Sequence, residues 1–164
     1  MKEYLTGKGW QVTDLTPDKT DLPMYHRVGF LVGSKIAERE FEKALAFCGT
    51  GMGVHIAASK CPHVHAAVAE SLMAARRAAA ANNCNLLAMG GFWVSAQLGK
   101  AMAEAFLETS LGDGYQEWPG FYEYHKVGYD ECENFDYQAY KENGFQVPDP
   151  TVPDLGPDPR GLPF

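Results

Sequence analysis

Ala44-Leu45-Ala46-Phe47-Cys48-Gly49-Thr50-Gly51-Met52-Gly53 is the stretch that decides the fold. A short apolar run closes on three glycines within five residues, and a helical pattern, Gly53 to Lys60, follows. That order reads as buried strand, tight loop and helix. The glycines let the backbone take positive φ and present several N–H groups at the start of the following helix, where the dipole favours an anion. An enediolate or a phosphate would suit such a loop. In an open α/β sheet, ligands bind at this end of the strands. The full dinucleotide and P-loop spacings are missing. Cys48 sharpens the assignment, because a thiol beside such amides can have its pKa lowered and can accept and return a proton. On local features alone two readings stand side by side, this one and a small apolar filler at the end of a strand.

Working outward, Trp10 to Leu15 reads as a strand, and Tyr25 to Glu40 as a helix with Val28, Leu31, Val32 and Ile36 at helical spacing. Lys43 to Phe47 is the strand entering the glycine loop. Val64 to Ala69 is the next strand, Ser71 to Asn82 an Ala-rich helix with Ser71 placed to cap it, and Asn85 to Met89 a further strand. Ser95 to Glu108 closes the body as an amphipathic helix with Leu98, Met102 and Phe106 on one stripe. Strands alternating with helices predict an α/β class: a three-layer α/β/α, Rossmann-like domain with a parallel sheet and the site at the carboxyl ends of its strands.

The 164 residues, 46% hydrophobic, fit one domain with a single core. The domain spans residues 1–114, and 115–164 form an irregular C-terminal tail. Residues 111–164 hold 11 acidic against 3 basic residues, and the tail holds 7 of the 10 prolines and, from Tyr115 to Phe145, 10 of the 20 aromatics. Disordered segments are poor in aromatics, so Tyr115 to Phe145 is expected to pack on something, while Val147 to Phe164 is expected to be extended. A net charge of -7 argues against a nucleic-acid or anionic-membrane surface and for a small solute or another protein as partner. No apolar run is long enough to span a membrane and Met1-Lys2-Glu3 does not open a secretory signal, so a soluble cytoplasmic protein is expected. Cys48, Cys61, Cys84 and Cys132 have no metal or disulfide spacing, and His63 and His65 have no acidic partner beside them in sequence. No metal and no cofactor are expected.

Cys48-Gly49-Thr50-Gly51-Met52-Gly53, then Ile56-Ala57-Ala58-Ser59-Lys60-Cys61-Pro62, then Asn82-Asn83-Cys84-Asn85-Leu86-Leu87-Ala88-Met89-Gly90, resemble in order and spacing the ribose-5-phosphate isomerase B and galactose-6-phosphate isomerase family. Lys8 to Leu15 and Thr20-Asp21-Leu22-Pro23 fit the same pattern, so the resemblance covers roughly residues 1 to 115. It implies an aldose–ketose isomerase, of the ribose 5-phosphate/ribulose 5-phosphate type, acting through a cis-enediolate, with Cys48 moving the proton between C1 and C2. The amides of Gly49, Gly51, Met52 and Gly53 would then hold the oxyanion, assisted by the Thr50 hydroxyl. Asn82 would touch sugar hydroxyls and Asn85 would brace the loop. The resemblance also implies a homodimer whose sites are built across the interface, with the aromatic tail as an arm over the partner.

Against the family pattern, the chain begins about 20 residues late, a shortfall the size of one strand and its loop, so that the sheet is expected to lack a central strand. The family's ring-opening histidine is Ala81 here, the following Asp of that segment is Asn83, the arginine after the fourth strand is Phe92 and the tyrosine of its D-Y-P is Leu22. The tail offers no counterpart of the C-terminal arginines. Family membership is therefore better supported than activity on ribose 5-phosphate. A non-catalytic sugar-binding or scaffolding homologue is the alternative. A redox role for Cys48 is weaker, since no resolving cysteine lies nearby in sequence.

Overall fold

A computed structural model describes residues 1–18, 20–147 and 153–159. In chain order the elements are α1 (Lys2–Gly7), α2 (Tyr25–Ala37), β1 (Ala44–Cys48), α3 (Met52–Ala58), β2 (Ala66–Val68), α4 (Leu72–Ala80), β3 (Leu86–Gly90), α5 (Ala96–Leu107), α6 (Phe121–Glu133) and α7 (Tyr137–Glu142). The strands form one parallel sheet in the order β1-β3-β2. Register aligns Ala44 with Leu86 and Cys48 with Gly90, so the thiol and the glycine pair Gly90-Gly91 stand at the same carboxyl edge.

β3 is buried at every residue, as a parallel strand covered on both faces must be. Its side chains divide by parity. Leu87 and Met89 join Ala75, Ala78 and Ala79 of α4 and Met102, Ala103 and Phe106 of α5. Leu86 and Ala88 join Val32 of α2, Ala46 of β1, and Val54 and Ala58 of α3. The three-layer α/β/α class read from the sequence is therefore present. Ser71 and Ser95 cap α4 and α5 by accepting the N–H groups of Ala74 and Leu98, both at 3.2 Å. Small residues let α2 lie against α3: a Cβ placed at Gly29 would sit 2.6 Å from the carbonyl oxygen of Val54.

Two segments depart from expectation. Trp10 to Leu15 is not a strand; it pairs with none of the three described strands, and a strand needs a ladder to bond to. Its ends are held locally instead, Trp10 N–H donating to the Leu5 carbonyl (3.1 Å) and Asp14 Oδ1 accepting the Thr16 N–H (3.0 Å). The tail, for its part, is more regular than its composition suggests. Phe121, His125 and Tyr129 follow at i, i+4, i+8 along α6. Phe121 is sandwiched between the rings of Tyr115 (3.8 Å) and His125 (4.0 Å), and Tyr129 lies 4.7 Å from the His65 ring. Trp118 is buried and donates its indole N–H to the Leu155 carbonyl at 2.6 Å. Residues 153–158 form no helix or strand, and the remainder of the segment expected to be extended lies at 148–152 and 160–164, outside the described residues.

Candidate active site

The site is assembled where β1 ends. Gly51 has φ +77, and a Cβ there would meet the backbone of Met89 and Gly90 at 2.9 and 3.0 Å, so the loop turns under β3 where only glycine fits. This turn points the Gly51 N–H back at Cys48, whose Sγ accepts it at 3.1 Å. The half-buried thiol feels two opposing effects. Burial pushes its pKa up, but the N–H groups of Val54, Thr50 and Gly51 and the Thr50 hydroxyl favour the thiolate, and the net shift is downward. Cys84, buried behind the sheet with no such donors, is pushed up to about 11. Of the two, only Cys48 has surroundings that make a thiolate.

The loop amides thus serve the sulfur before any substrate. Gly51 N–H is spent on Cys48, and Met52 N–H donates to Thr50 Oγ1 at 3.2 Å. Cys48, Gly49, Thr50, Gly51, Met52 and Gly53 are brought together as expected. Asn82 and Asn85 are not. Asn85 lies five residues before Gly90, the residue paired with Cys48, which at roughly 3.3 Å per residue is about 16 Å along the sheet. There it accepts the His65 N–H (2.9 Å) and donates to the His63 carbonyl (2.7 Å), holding the segment that leads into β2 and not the glycine loop of its own chain. Asn82 is exposed in the turn between α4 and β3, at the same amino-end of the strands.

Two aromatic neighbours of the loop were not assigned to the site from the sequence, Phe92 having been noted there only as standing where the family has an arginine. The Tyr25 ring lies over Gly53, 2.4 Å from where a Cβ would stand, and the Phe92 ring lies over Gly49 at 2.6 Å by the same measure. Phe92 lies in the loop leaving β3 at the carboxyl edge, which was the available signal, whereas Tyr25 opens α2 and gave none. A third omission is at the far end of the sheet. Glu133, at the close of α6, accepts from His63 Nδ1 (2.7 Å), His65 Nε2 (2.7 Å) and Arg39 (3.0 Å). The acidic partner that the histidines lack in sequence comes from 68 residues beyond His65. Burial pushes the Glu133 carboxyl up, but these donors outweigh it and hold the pKa down. Each imidazole addresses a different carboxylate oxygen, which is hydrogen bonding; among the described residues no cluster of His, Cys, Asp and Glu is arranged to hold a metal ion.

Compared with known proteins, residues 1–118 match the Ribose/Galactose Isomerase family. The chain belongs to that family. It is 41% identical over 119 residues to the 4-deoxy-4-sulfo-D-erythrose isomerase of Clostridium sp. (strain MSTE9), covering 72% of this chain and 75% of the relative. To the D-erythrulose-4-phosphate isomerase of Pectobacterium atrosepticum it is 30% identical over 129 residues, covering 76% of this chain and 85% of the relative. Among solved structures, ribose-5-phosphate isomerase B of Mycoplasma genitalium with bound ribulose-5-phosphate superposes with a TM-score of 0.67 at 27% identity, covering 85% of this chain and 84% of that one. The ribose 5-phosphate isomerase of Thermotoga maritima gives a TM-score of 0.69 at 28% identity, covering 82% and 86%. The protein is thus an aldose–ketose isomerase of this family. No described helix of this isomerase is long and apolar enough to cross a membrane.

Proposed function

We propose that this isomerase interconverts an open-chain four-carbon aldose, blocked at C4, with its ketose, using Cys48 as the proton carrier. The observation that carries the proposal is the Gly51 N–H directed at Sγ, with the thiol held below its ordinary pKa. Such a thiolate can take the C2 proton of the aldose. The C–H electrons form the C1=C2 bond of a cis-enediolate and the carbonyl pair moves onto O1. Return of the proton to C1, with passage of the O2 proton to O1, leaves the ketone at C2. Of the loop donors, the Gly49 and Gly53 amides are the groups to which we assign the oxyanion, with the Thr50 hydroxyl turning to assist once the proton has moved to sulfur.

The four-carbon assignment follows from ring chemistry. A furanose closes through O4 and a pyranose through O5. A tetrose whose C4 carries a phosphate or a sulfonate has neither hydroxyl free, so it presents its aldehyde without a ring to open. Ala81, where the family's ring-opening histidine is expected, then costs nothing, whereas for a pentose phosphate the missing proton carrier would cost about 10²- to 10⁴-fold in rate. The substrates of the two tetrose-acting relatives agree with this reading. We assign the reaction to the cytoplasm, where the four unpaired cysteines would stay reduced.

The same reading calls for a homodimer. Asn82 stands about a strand's length from Cys48 within one chain, so it serves a site only if a second copy brings it there. Phe135 and Tyr137, 56% and 62% exposed at the start of the last helix, supply an apolar face for the arm. Purified protein should convert erythrose 4-phosphate or 4-deoxy-4-sulfo-erythrose to the corresponding ketose far faster than ribose 5-phosphate, and Cys48→Ala should abolish it. Binding of these sugars without turnover would favour the non-catalytic alternative. A Phe135→Glu/Tyr137→Glu variant should run as a monomer in light scattering; an unchanged dimer mass would remove the arm from the interface.

A further inference from the structure

A proton carrier is still missing from the reaction. Cys48 moves hydrogen from C2 to C1, but the hydrogen on O2 must also reach O1, and that needs an acid and base beside the two oxygens. The Thr50 hydroxyl favours the Cys48 thiolate and accepts the Met52 N–H at 3.2 Å. It can hydrogen-bond an oxyanion, but an aliphatic hydroxyl gives up its proton far less readily than a phenol.

Two rings flank the loop. Phe92 covers Gly49, fixed by its backbone N–H, which donates to the Gly49 carbonyl at 3.0 Å, and Tyr25 covers Gly53. Of the two, only the tyrosine has a proton to give. Gly53 shows that the ring is seated there by design of the local packing. It stands in the first turn of α3 outside the positive-φ region, so its backbone does not call for glycine, and glycine is a poor helix former. The ring calls for it. A Cβ at Gly53 would stand 2.4 Å from Tyr25 Cε2, 2.6 Å from Cδ2 and 3.3 Å from Cζ, the carbon that bears the hydroxyl. Tyr25 opens α2, which Gly29 lets lie against α3, so two packed helices hold the phenol at the loop. The residue is 51% exposed, at the carboxyl edge where a substrate would enter. The Gly53 amide beneath it is one of the two to which the oxyanion is assigned, which puts the phenol beside O1.

We propose that Tyr25 is the second catalytic residue, carrying the proton between the substrate's two oxygens. Once Cys48 has taken the C2 proton and the carbonyl pair sits on O1, the Tyr25 hydroxyl gives its proton to O1. The phenolate then takes the proton of O2. The O2–H electrons form the C2=O bond, and the C1=C2 pair takes the proton on sulfur at C1. Ketose, phenol and thiolate result, so the sequence balances without a further reactant. The proposal rests on the reading of Cys48 as the base.

The test runs the full chain on erythrose 4-phosphate in deuterium oxide and follows ketose formed and deuterium at C2 of the recovered aldose. A thiol exchanges its hydrogen with solvent, and return of deuterium from sulfur to C2 needs no transfer between the oxygens, so exchange reads Cys48 alone. Tyr25→Phe keeps the ring over Gly53 and removes only the hydroxyl. Conversion should fall by about 10²-fold or more while exchange persists, so that exchange relative to conversion rises by the same order with KM little changed. Equal loss of both, as a structural role would give, or loss of neither overturns the proposal and leaves the Cys48 reading intact. Absence of exchange in the wild type, or exchange that survives in Cys48→Ala, overturns both. Gly53→Ala is the second variant: it keeps the amide and suits the helix, but its methyl group pushes the ring aside. It should raise the same ratio, and added to Tyr25→Phe it should change the ratio little further, because the two changes remove one group. A ratio unmoved in Gly53→Ala counts against the proposal, and should Tyr25→Phe not fold, this variant decides.

Discussion

Gly51→Ala tests the link between loop geometry and thiol chemistry. Gly51 has φ +77, where an L-residue is strained by roughly 1 to 2 kcal/mol. A methyl group would also meet the Met89 carbonyl carbon at 2.9 Å and the Gly90 nitrogen at 3.0 Å, both backbone atoms of the central strand, and relief of such overpacking adds about 1 to 3 kcal/mol. The loop must therefore lift, carrying the Gly51 N–H away from Sγ. A hydrogen bond to a charged group is worth about 1.5 to 3 kcal/mol, so its loss lets burial push the Cys48 pKa back up. Since that bond stabilises the thiolate, the wild-type sulfur is reactive at a lower pH than the variant's. The assay is the pH dependence of iodoacetamide alkylation in a Cys61→Ser/Cys132→Ser background, with buried Cys84 slow because its pKa is pushed up to about 11. The alkylation midpoint should move to higher pH and the melting temperature should fall by roughly 10 °C or more. A folded Gly51→Ala protein whose midpoint is unchanged would mean that this amide does not hold the thiolate.

Glu133→Gln should loosen α6 from the body, since three donors from two separate segments converge on that one carboxylate; hydrogen exchange across Phe121–Glu133 should speed up by about tenfold or more, and unchanged protection would show that the aromatic stack alone docks the helix. Because the Glu133 pKa lies below its ordinary value in the folded state, its contribution is present above the unfolded carboxylate pKa and is lost as pH falls through the lowered folded value, so wild-type protection of α6 should drop at acid pH ahead of the variant's. Gly29→Ala should destabilise by about 1 to 3 kcal/mol, as a methyl there meets Val54 O at 2.6 Å and Ala57 Cβ at 2.5 Å; a urea midpoint equal to wild type would mean that α2 shifts freely on α3.

What the sequence revealed and what it hid divide along a physical line. Local signals were legible: a serine before an Ala-rich helix capped it, continuous apolar runs became the covered strands, and three glycines after Cys48 became the turn that aims an amide at sulfur. Each of these depends on neighbours a few residues apart. Trp10 to Leu15 has the composition of a strand, but a strand exists only by pairing, and no window of sequence shows whether an edge is there to receive it. The tail misled for a different reason. Its stripe, Phe121, His125 and Tyr129, is invisible when histidine is counted as polar, yet an imidazole ring stacks as well as a phenyl and can donate its N–H to a carbonyl or carboxylate at the same time. Glu133 extends that stripe by one more turn and answers His63 and His65, whose apparent want of an acidic partner was an artefact of looking only nearby. The separation of Asn82 from Cys48 belongs to the same class: the family resemblance assigned both to one site, and only the register of β1 on β3 reveals that one chain holds them at opposite ends of its sheet.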